Sequence, residues 1–465
     1  MHNEPKKTKS VRVRTVQGSC WPCLRRRIKC DLVKPTCSRC SLIGAACSYD
    51  SRQIRWSTRP APTAPTTYQV CTREEQLASS LPPYERRALE YFVGRLWPLM
   101  TTESTPCVPP TLVALESKAV LLAACVIADT HRVLQDGRNN QRLLASKRGQ
   151  CLSTVRSELR QWCSSPKMAD TATLPPLLMA VILLYLGDGF LDNPTQWASS
   201  TTSHQNGLKA IIGRLGSLDD VLTRTTYPEP LQMLITQFAS GDLTTALIRG
   251  GRPSFEPSFW DKLNTGTVWW LRDPTGHISL AHVLGSMSRM AIHVDSVTRG
   301  LEETSTDTLR CFEMALMPIY VPCPFPHCLS ADLSLREPSN DAGILAYSFQ
   351  FAALIYLYRA IYRLPVSDPL VQTYVQLCLD RINAVKQTSK LLHCLIFPLF
   401  IAGTHALSAD YRKNALKTAN QIHRDMRFSS VRTVRDHMRA VWKRDMENAT
   451  WSEMFDDLPA NVVVL

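Results

Sequence analysis

The 465-residue chain lacks an uninterrupted apolar run of about 20 residues, the length that a membrane-spanning helix needs. Its longest apolar runs are Ala119–Ala128, Leu177–Leu186 and Leu391–Gly403, and the last of these contains a histidine and a proline. The first residues are polar and basic and lack the apolar centre of a secretory signal. We therefore expect a soluble intracellular protein with no membrane partner.

Patterns that carry catalysis are also missing. We find no phosphate-binding glycine loop, no nucleophile elbow and no convincing acid–base pair in the sequence. Alternation of apolar and polar residues with a period of two is scarce, which argues against β-sheets. We therefore expect a protein that is not an enzyme and is built mainly from helices.

Positive charge is concentrated at the start of the chain. Residues 1–60 carry 14 Lys and Arg against three Asp and Glu, whereas the other 405 residues carry 39 against 37. Residues 1–19 form a basic arm, with Lys6 and Lys7 near its beginning. Such a block indicates a polyanionic partner, although a solvated basic tail has the same composition.

Six of the 16 cysteines form a cluster with a repeated spacing. They are Cys20, Cys23, Cys30, Cys37, Cys40 and Cys47, and each member of the second triplet follows its counterpart by 17 residues. In an intracellular chain thiols stay reduced, so clustered cysteines favour a metal over disulfides. The alternatives, a redox pair or a single-zinc ribbon, do not account for the repeat.

The number of cysteines limits how they can bind zinc. A structural zinc ion takes four thiolate or imidazole ligands in a tetrahedron, and each triplet supplies three. The six residues before the third cysteine of a triplet make about a turn and a half of helix. Two separate zinc sites would need eight ligands, and the shortage is resolved if two thiolates bridge both metals.

The cluster resembles the fungal six-cysteine binuclear zinc-cluster DNA-binding domain, whose spacings it matches at all six positions. Asp31 and Pro35 also stand where that family has an acid after the third cysteine and a loop proline. The resemblance implies two Zn²⁺ ions that share Cys20 and Cys37. One ion would also take Cys23 and Cys30, and the other Cys40 and Cys47.

The two triplets differ in charge. Arg25, Arg26, Arg27 and Lys29 lie between the second and third cysteines of the first triplet, whereas the matching residues 41–46 are uncharged. Balancing six thiolates around two zinc ions needs fewer cations than this. In the family the first helix enters the major groove at CGG-type sites, where Arg and Lys suit the paired acceptors of guanine.

We therefore predict that these four cations bind DNA. By resemblance Arg26 and Arg27 contact bases, and Lys29 supports them through base or phosphate contacts. Leu24 departs from the family, which commonly has a basic residue at that position, so one phosphate contact is in doubt.

The sequence predicts a small zinc-stabilised binuclear cluster domain (20–47) plus a large all-α domain (84–465), joined by a Pro-rich linker (48–83). Apolar residues of the large domain recur with helical spacing. The stripes are Leu89 to Trp97, ending at Pro98; Leu144 to Trp162; Tyr374 to Val385; and Val431 to Val441. Residues 254–338 are less periodic, and we expect long loops there.

The large domain resembles, more diffusely, the fungal-specific transcription-factor domain of arginine-metabolism-type regulators. The residues that carry this resemblance are Leu391–Gly403, Val441, Trp442 and Trp451. Asp445–Leu458 mixes acids with apolar residues, which suits either an acidic activation segment or a last helix packed on the core.

These resemblances imply a nuclear, sequence-specific transcription factor of the RNA polymerase II type. It would bind double-stranded DNA and work with the transcription machinery or co-regulators, and metabolic or secondary-metabolite genes are the family-level targets. The alternative is a zinc-dependent protein-interaction regulator that does not read DNA sequence. Ser48–Pro83 has five prolines and no heptad pattern, so we expect no dimerising coiled coil there, and dimerisation stays open.

Overall fold

The computed structural model describes residues 18–26, 28–49, 73–101, 108–136, 141–164, 174–191, 200–214, 229–263, 279–317, 341–444, 446–459 and 462–464. The chain divides into two compact units, Met1–Val70 and Cys71–Leu465. Arg27, the basic arm up to residue 17, and residues 50–72 of the predicted linker lie outside the described residues.

The first unit contains two short helices, and each begins directly after a cysteine. They are α1 (Trp21–Arg25) and α2 (Ser38–Ser41), with Cys20 and Cys37 as their N-caps in extended conformation. Gly44 follows α2 in the left-handed region, at a φ of 62°, which glycine adopts without strain. The chain between the helices includes a cis peptide bond at Lys34–Pro35.

The second unit is helical, and its described part contains no strand. Its helices are α3 (Arg73–Ser80), α4 (Pro83–Tyr91), α5 (Trp97–Thr101), α6 (Thr111–Glu116), α7 (Lys118–Asp136), α8 (Gln141–Ser164), α9 (Leu174–Leu191), α10 (Ser200–Arg214), α11 (Glu229–Arg249), α12 (Pro257–Leu263), α13 (Leu280–Thr298), α14 (Thr306–Leu316), α15 (Asp341–Tyr356), α16 (Pro369–Ala384), α17 (Ile396–His405), α18 (Ala409–Met426), α19 (Ser429–Val441) and α20 (Trp451–Phe455). π turns at Phe92–Leu96 and Leu357–Ile361 and a 3₁₀ helix at Lys390–Leu395 complete the described elements. The predicted fold class is confirmed.

Two apolar helices lie at the centre of this unit. α9 packs against α7, α10 and α11, whereas α15 packs against α13, α16 and α17. Helices that are apolar on all sides need to be covered by others. By length and composition, the stretches Leu174–Leu191 and Gly343–Ile361 could cross a bilayer, but 78% of each is buried within the protein, as in any core helix.

The predicted apolar stripes face the core. Val431, Val434, Met438 and Val441 are each at most 2% exposed, and the other three stripes likewise contribute buried residues. The first stripe does not end at Pro98 as predicted. The chain passes through the π turn Phe92–Leu96 and continues as α5, because a wider turn makes room for a proline ring that has no N–H to donate.

The expectation of long loops at residues 254–338 was wrong for the part of this range that the structure describes. α12, α13 and α14 occupy much of residues 254–317, where long loops were expected, while 318–340 lie outside the described residues. Ser279 and Ser305 cap α13 and α14 by accepting from the backbone N–H groups of His282 and Thr308, so capping serines marked both helices in the sequence. α3 (Arg73–Ser80) lies within residues 48–83, which the sequence assigns to the linker.

The last helix packs on the core, which favours the second interpretation of Asp445–Leu458. Trp451 and Phe455 of α20 are 6% and 2% exposed, and the indole Nε1 of Trp451 donates to the Leu247 carbonyl at 2.8 Å. Val463 continues this packing, with its backbone N–H donating to the Gly189 carbonyl at 3.4 Å. These apolar residues hold the end of the chain against α9 and α11.

Candidate metal centre and nucleic-acid interface

The 17-residue repeat of the cysteines is also a repeat of the backbone. The N–H of Leu24 donates to the Cys20 carbonyl at 3.0 Å, and Ser41 donates to Cys37 at the same distance. Likewise Ile28 donates to Cys23 at 3.1 Å, and Ala45 to Cys40 at 3.0 Å. Each donor and acceptor in the second half follows its counterpart by 17 residues. The two triplets therefore adopt the same local fold.

This fold brings all six sulfur atoms together in two overlapping groups of four. In each group, the sulfur atoms lie within 4.8 Å of one another. The groups are Cys20, Cys23, Cys30 and Cys37, and Cys20, Cys37, Cys40 and Cys47. Cys20 and Cys37 belong to both groups.

The distances between sulfur atoms fit a metal rather than disulfides. The Sγ atoms of Cys20 and Cys37 are 3.6 Å apart, as are those of Cys23 and Cys37, while Cys30 and Cys20 are separated by 3.8 Å. A tetrahedron with zinc–sulfur bonds of about 2.3 Å has edges of about 3.8 Å. A disulfide would need about 2.05 Å. The donor set therefore suits a thiolate-binding ion such as zinc.

The protonation of these thiols shows why a cation is needed. Burial raises the pKa of Cys20, and it raises that of Cys40 to about 12. Burial also opposes ionisation of Cys37, but the backbone N–H of Cys40 and hydrogen bonds with neighbouring thiols lower its pKa to about 6. Buried thiolates this close repel one another, so full ionisation of the cluster requires bound positive charge.

Polar groups around the sulfurs hold them in place. The backbone N–H of Leu32 lies 3.5 Å from the Cys30 sulfur, and the N–H of Cys37 lies 3.4 Å from that of Cys47. Tyr49 lies with its hydroxyl 3.5 Å from the Cys30 sulfur and donates to the Val33 carbonyl at 2.9 Å. Groups of this kind orient ligands in metal sites. Sequence reasoning missed Tyr49, because only its position after the last cysteine distinguishes it.

The predicted DNA-binding cations lie at the end of α1 and beyond it. The helix is shorter than predicted: Arg25 is its last residue, Arg26 is its C-cap, and Lys29 follows it, while Arg27 lies outside the described residues. All three described cations are exposed. Within the described part of the chain, no ion pair engages them. Asp31 instead accepts from the backbone N–H of Ser38 at 3.0 Å.

The second half, Cys37–Cys47, carries one exposed cation, Arg39, where the first half carries a cluster of them. Leu42 and Ile43, which correspond to Arg25 and Arg26 by the 17-residue repeat, are 78% and 54% exposed. The two halves thus have the same backbone fold, but the first half exposes Arg25 and Arg26 where the second half exposes Leu42 and Ile43.

Comparisons with known proteins agree with both units. A family model described as "Fungal Zn(2)-Cys(6) binuclear cluster domain" matches residues 18–56, and one described as "Fungal specific transcription factor domain" matches residues 74–464. A curated relative, "Arginine metabolism regulation protein II" of Saccharomyces cerevisiae, is 32% identical over 95 residues. That alignment covers 19% of this chain and 10% of the relative, so the chain spans about a tenth of the relative's length. No solved structure matches.

Proposed function

We propose that this chain, which belongs to the fungal specific transcription factor family, reads CGG-type sites in double-stranded DNA. The part that would read them is its Zn(2)-Cys(6) binuclear cluster domain. The protein is a fungal transcription regulator. The observation that carries the proposal is the asymmetry between two halves of the cluster that share one backbone fold.

The asymmetry supports reading by the first half. Arg26 and Lys29 are exposed next to a cluster in which five of the six cysteines are buried, so the backbone that carries them is tied to a compact support. An arginine can donate two hydrogen bonds to O6 and N7 of guanine, and a lysine can contact the same acceptors or a phosphate. The second half exposes Leu42 and Ile43, which cannot donate to either group.

In this proposal, zinc stabilises the first unit. Among the residues of that unit that the structure describes, the buried set consists of Cys20, Cys23, Cys30, Cys37 and Cys40. Two Zn²⁺ ions, one in each group of four sulfurs, would take the place of a hydrophobic core and supply the positive charge that the thiolates need. Cys20 and Cys37 would bridge them.

The second unit supplies regulation in this proposal. We place the protein in the nucleus, where the helical unit contacts the transcription machinery or co-regulators and carries out no catalysis. Metabolic genes are the proposed targets. The relative whose name concerns arginine metabolism supports this gene class, through an alignment that covers a fifth of this chain.

Selection from a random double-stranded DNA library tests the proposal directly. The full-length zinc-loaded chain should enrich CGG triplets. Arg26→Ala and Arg27→Ala should each reduce the preference for the selected site over a scrambled site, while Ser41→Ala in the second half should not. If neither arginine variant changes that ratio, the first half is not the reader.

The alternative, a zinc-dependent protein-interaction module that does not read DNA sequence, has one observation in its favour. Leu42 and Ile43 form an exposed apolar pair on the second half. This alternative expects no sequence enrichment in the library, and it expects Leu42→Ser with Ile43→Ser to abolish the protein's regulatory effect.

A further inference from the structure

The C-terminal part of the helical unit carries a concentration of positive charge that the overall composition hides. Residues 409–444, which include α18 and α19, hold ten Lys and Arg against three Asp. The rest of residues 61–465 holds 29 against 34. The large domain is nearly neutral as a whole because the positive net charge of α18 and α19 is balanced by a slightly negative net charge in the rest of the domain.

A surface groove of about 950 Å³ lies between α18 and α19. The cations that line it are Arg412, Lys413, Lys417, Arg424, Arg435 and Arg439. On α18, Lys413, Lys417 and Arg424 are spaced by four and seven residues, so they lie on one face of the helix. Arg435 and Arg439 are spaced by four residues on the facing helix. The groove is thus cationic on both sides.

Most of this charge has no carboxylate partner. In the part of the chain that the structure describes, Asp436 alone pairs with groove cations, at 2.7 Å from Arg435 and 3.8 Å from Arg439. Arg424 donates to the amide oxygen of Gln421, and no ion pair is present for Lys413 or Lys417 among the described residues. If these cations served only to stabilise the two helices, we would expect most of them to form ion pairs with carboxylates.

His423 also lines the groove. Burial lowers the pKa of His423, and the positive charges of Arg435 on the groove and of Arg427 and Arg432 outside its lining lower it further, whereas the charge of Asp436 opposes them. The groove therefore disfavours an additional positive charge and favours an anion.

The groove also has an apolar side, which distinguishes an acidic protein helix from a DNA backbone as its ligand. Leu416 and Trp442 line it together with the cations. The indole Nε1 of Trp442 donates to the Gly403 carbonyl at 3.0 Å, and the Arg412 guanidinium lies 5.4 Å from the centre of the Trp442 rings. This fixed aromatic surface suits an apolar side chain, whereas a DNA backbone offers only charge. An amphipathic helix with an acidic face and an apolar face complements both features.

The segment of this chain that mixes acidic and apolar residues, Asp445–Leu458, buries Trp451 and Phe455 in the core and is therefore not free to fill the groove. We propose that the groove between α18 and α19 is a docking site for an acidic amphipathic helix of another protein. α18 has 18 residues and is about 27 Å long, enough to hold about five turns of such a helix. This inference does not depend on which DNA site the zinc cluster reads.

A labelled peptide tests the proposal on the full-length zinc-loaded protein. The probe is an 18-residue synthetic helix with leucines on one face and glutamates on the other, and fluorescence anisotropy measures its binding. Lys413→Glu with Lys417→Glu should weaken binding about tenfold or more and reduce its salt dependence. Arg156→Glu with Arg160→Glu is the matched control, since both arginines are exposed on α8 with the same spacing of four residues.

A second peptide and a DNA duplex provide the remaining controls. Replacing the leucines of the peptide by serines should also weaken its binding about tenfold, because a peptide that carries only charge makes no contact with the apolar side of the groove. Circular dichroism should show equal helix content and thermal midpoints for both double variants. The proposal fails if the native protein does not bind the peptide, if both double variants bind alike, or if the leucine-free peptide binds equally well. It also fails if Lys413→Glu with Lys417→Glu instead weakens binding of scrambled duplex DNA, which would identify a nucleic-acid site.

Discussion

Replacement of a single cysteine should remove one zinc ion or both, depending on how many groups of four its sulfur joins. Cys37 belongs to both groups, whereas Cys47 belongs to one. We therefore expect Cys47→Ala in a fragment of residues 1–70 to retain one zinc ion. Cys37→Ala leaves three sulfurs in each group, and we expect it to retain none.

The size of the effect follows from how little else holds this unit together. A structural zinc ion in a small peptide contributes an apparent ~10–16 kcal/mol to folding. Among the described residues of the unit, the buried set is made of cysteines, so no apolar core within this part compensates for a lost metal. Cys47 is only half-buried, unlike Cys37, so its loss should also disturb the packing less. Cys47→Ala should stay partly folded, and Cys37→Ala should be unfolded at any zinc concentration that saturates the native unit.

Native mass spectrometry counts the bound ions, and circular dichroism during a chelator titration follows the fold. Ser41→Ala is the control and should bind two zinc ions. The reasoning would be refuted if the native fragment bound a single ion, if it remained folded without metal, or if Cys37→Ala and Cys47→Ala retained the same number of ions.

Three further predictions concern assembly and the helical unit. The fragment 1–83 should sediment as a monomer in ultracentrifugation, and a stable dimer would contradict the expectation that Ser48–Pro83 forms no coiled coil. Burial, followed by the charge of a nearby arginine, lowers the pKa of His405 from 6.5 to about 3, so below pH 6.5 the unfolded chain binds the extra proton. Because of His405, the free energy of unfolding should therefore fall by up to about 1.4 kcal/mol for each unit by which the pH is lowered between pH 6.5 and 3. His405→Gln should reduce this pH dependence in urea titrations. Gly189→Ala would place a Cβ within 2.8 Å of the Val463 Cβ and should destabilise the unit by about 1–3 kcal/mol in thermal unfolding, whereas Gly149→Ala, with open space around it, should not.

Features that depend on short-range spacing could be predicted from the amino-acid sequence alone. Cys20, Cys23 and Cys30 are close along the chain, and a tetrahedral metal leaves few ways to arrange them, so the repeat predicted the centre. The stripe Val431 to Val441 predicted α19, because helical periodicity is a local property. Capping serines such as Ser279 were equally readable, although loops were expected there.

Contacts between groups that are distant along the chain could not be predicted in this way, because they depend on how the helices and loops pack. Tyr49 reaches Cys30 because the chain folds back after the last cysteine, and no local pattern marks that contact. The burial of Trp451 against the Leu247 carbonyl distinguished a packed last helix from an acidic segment of the same composition. The cations of α18 and α19 are separated along the chain by neutral residues, and their charge is averaged out by acids elsewhere in the domain. They form a common field only because packing places the two helices side by side, since electrostatic interaction depends on distance in space and not on separation in sequence.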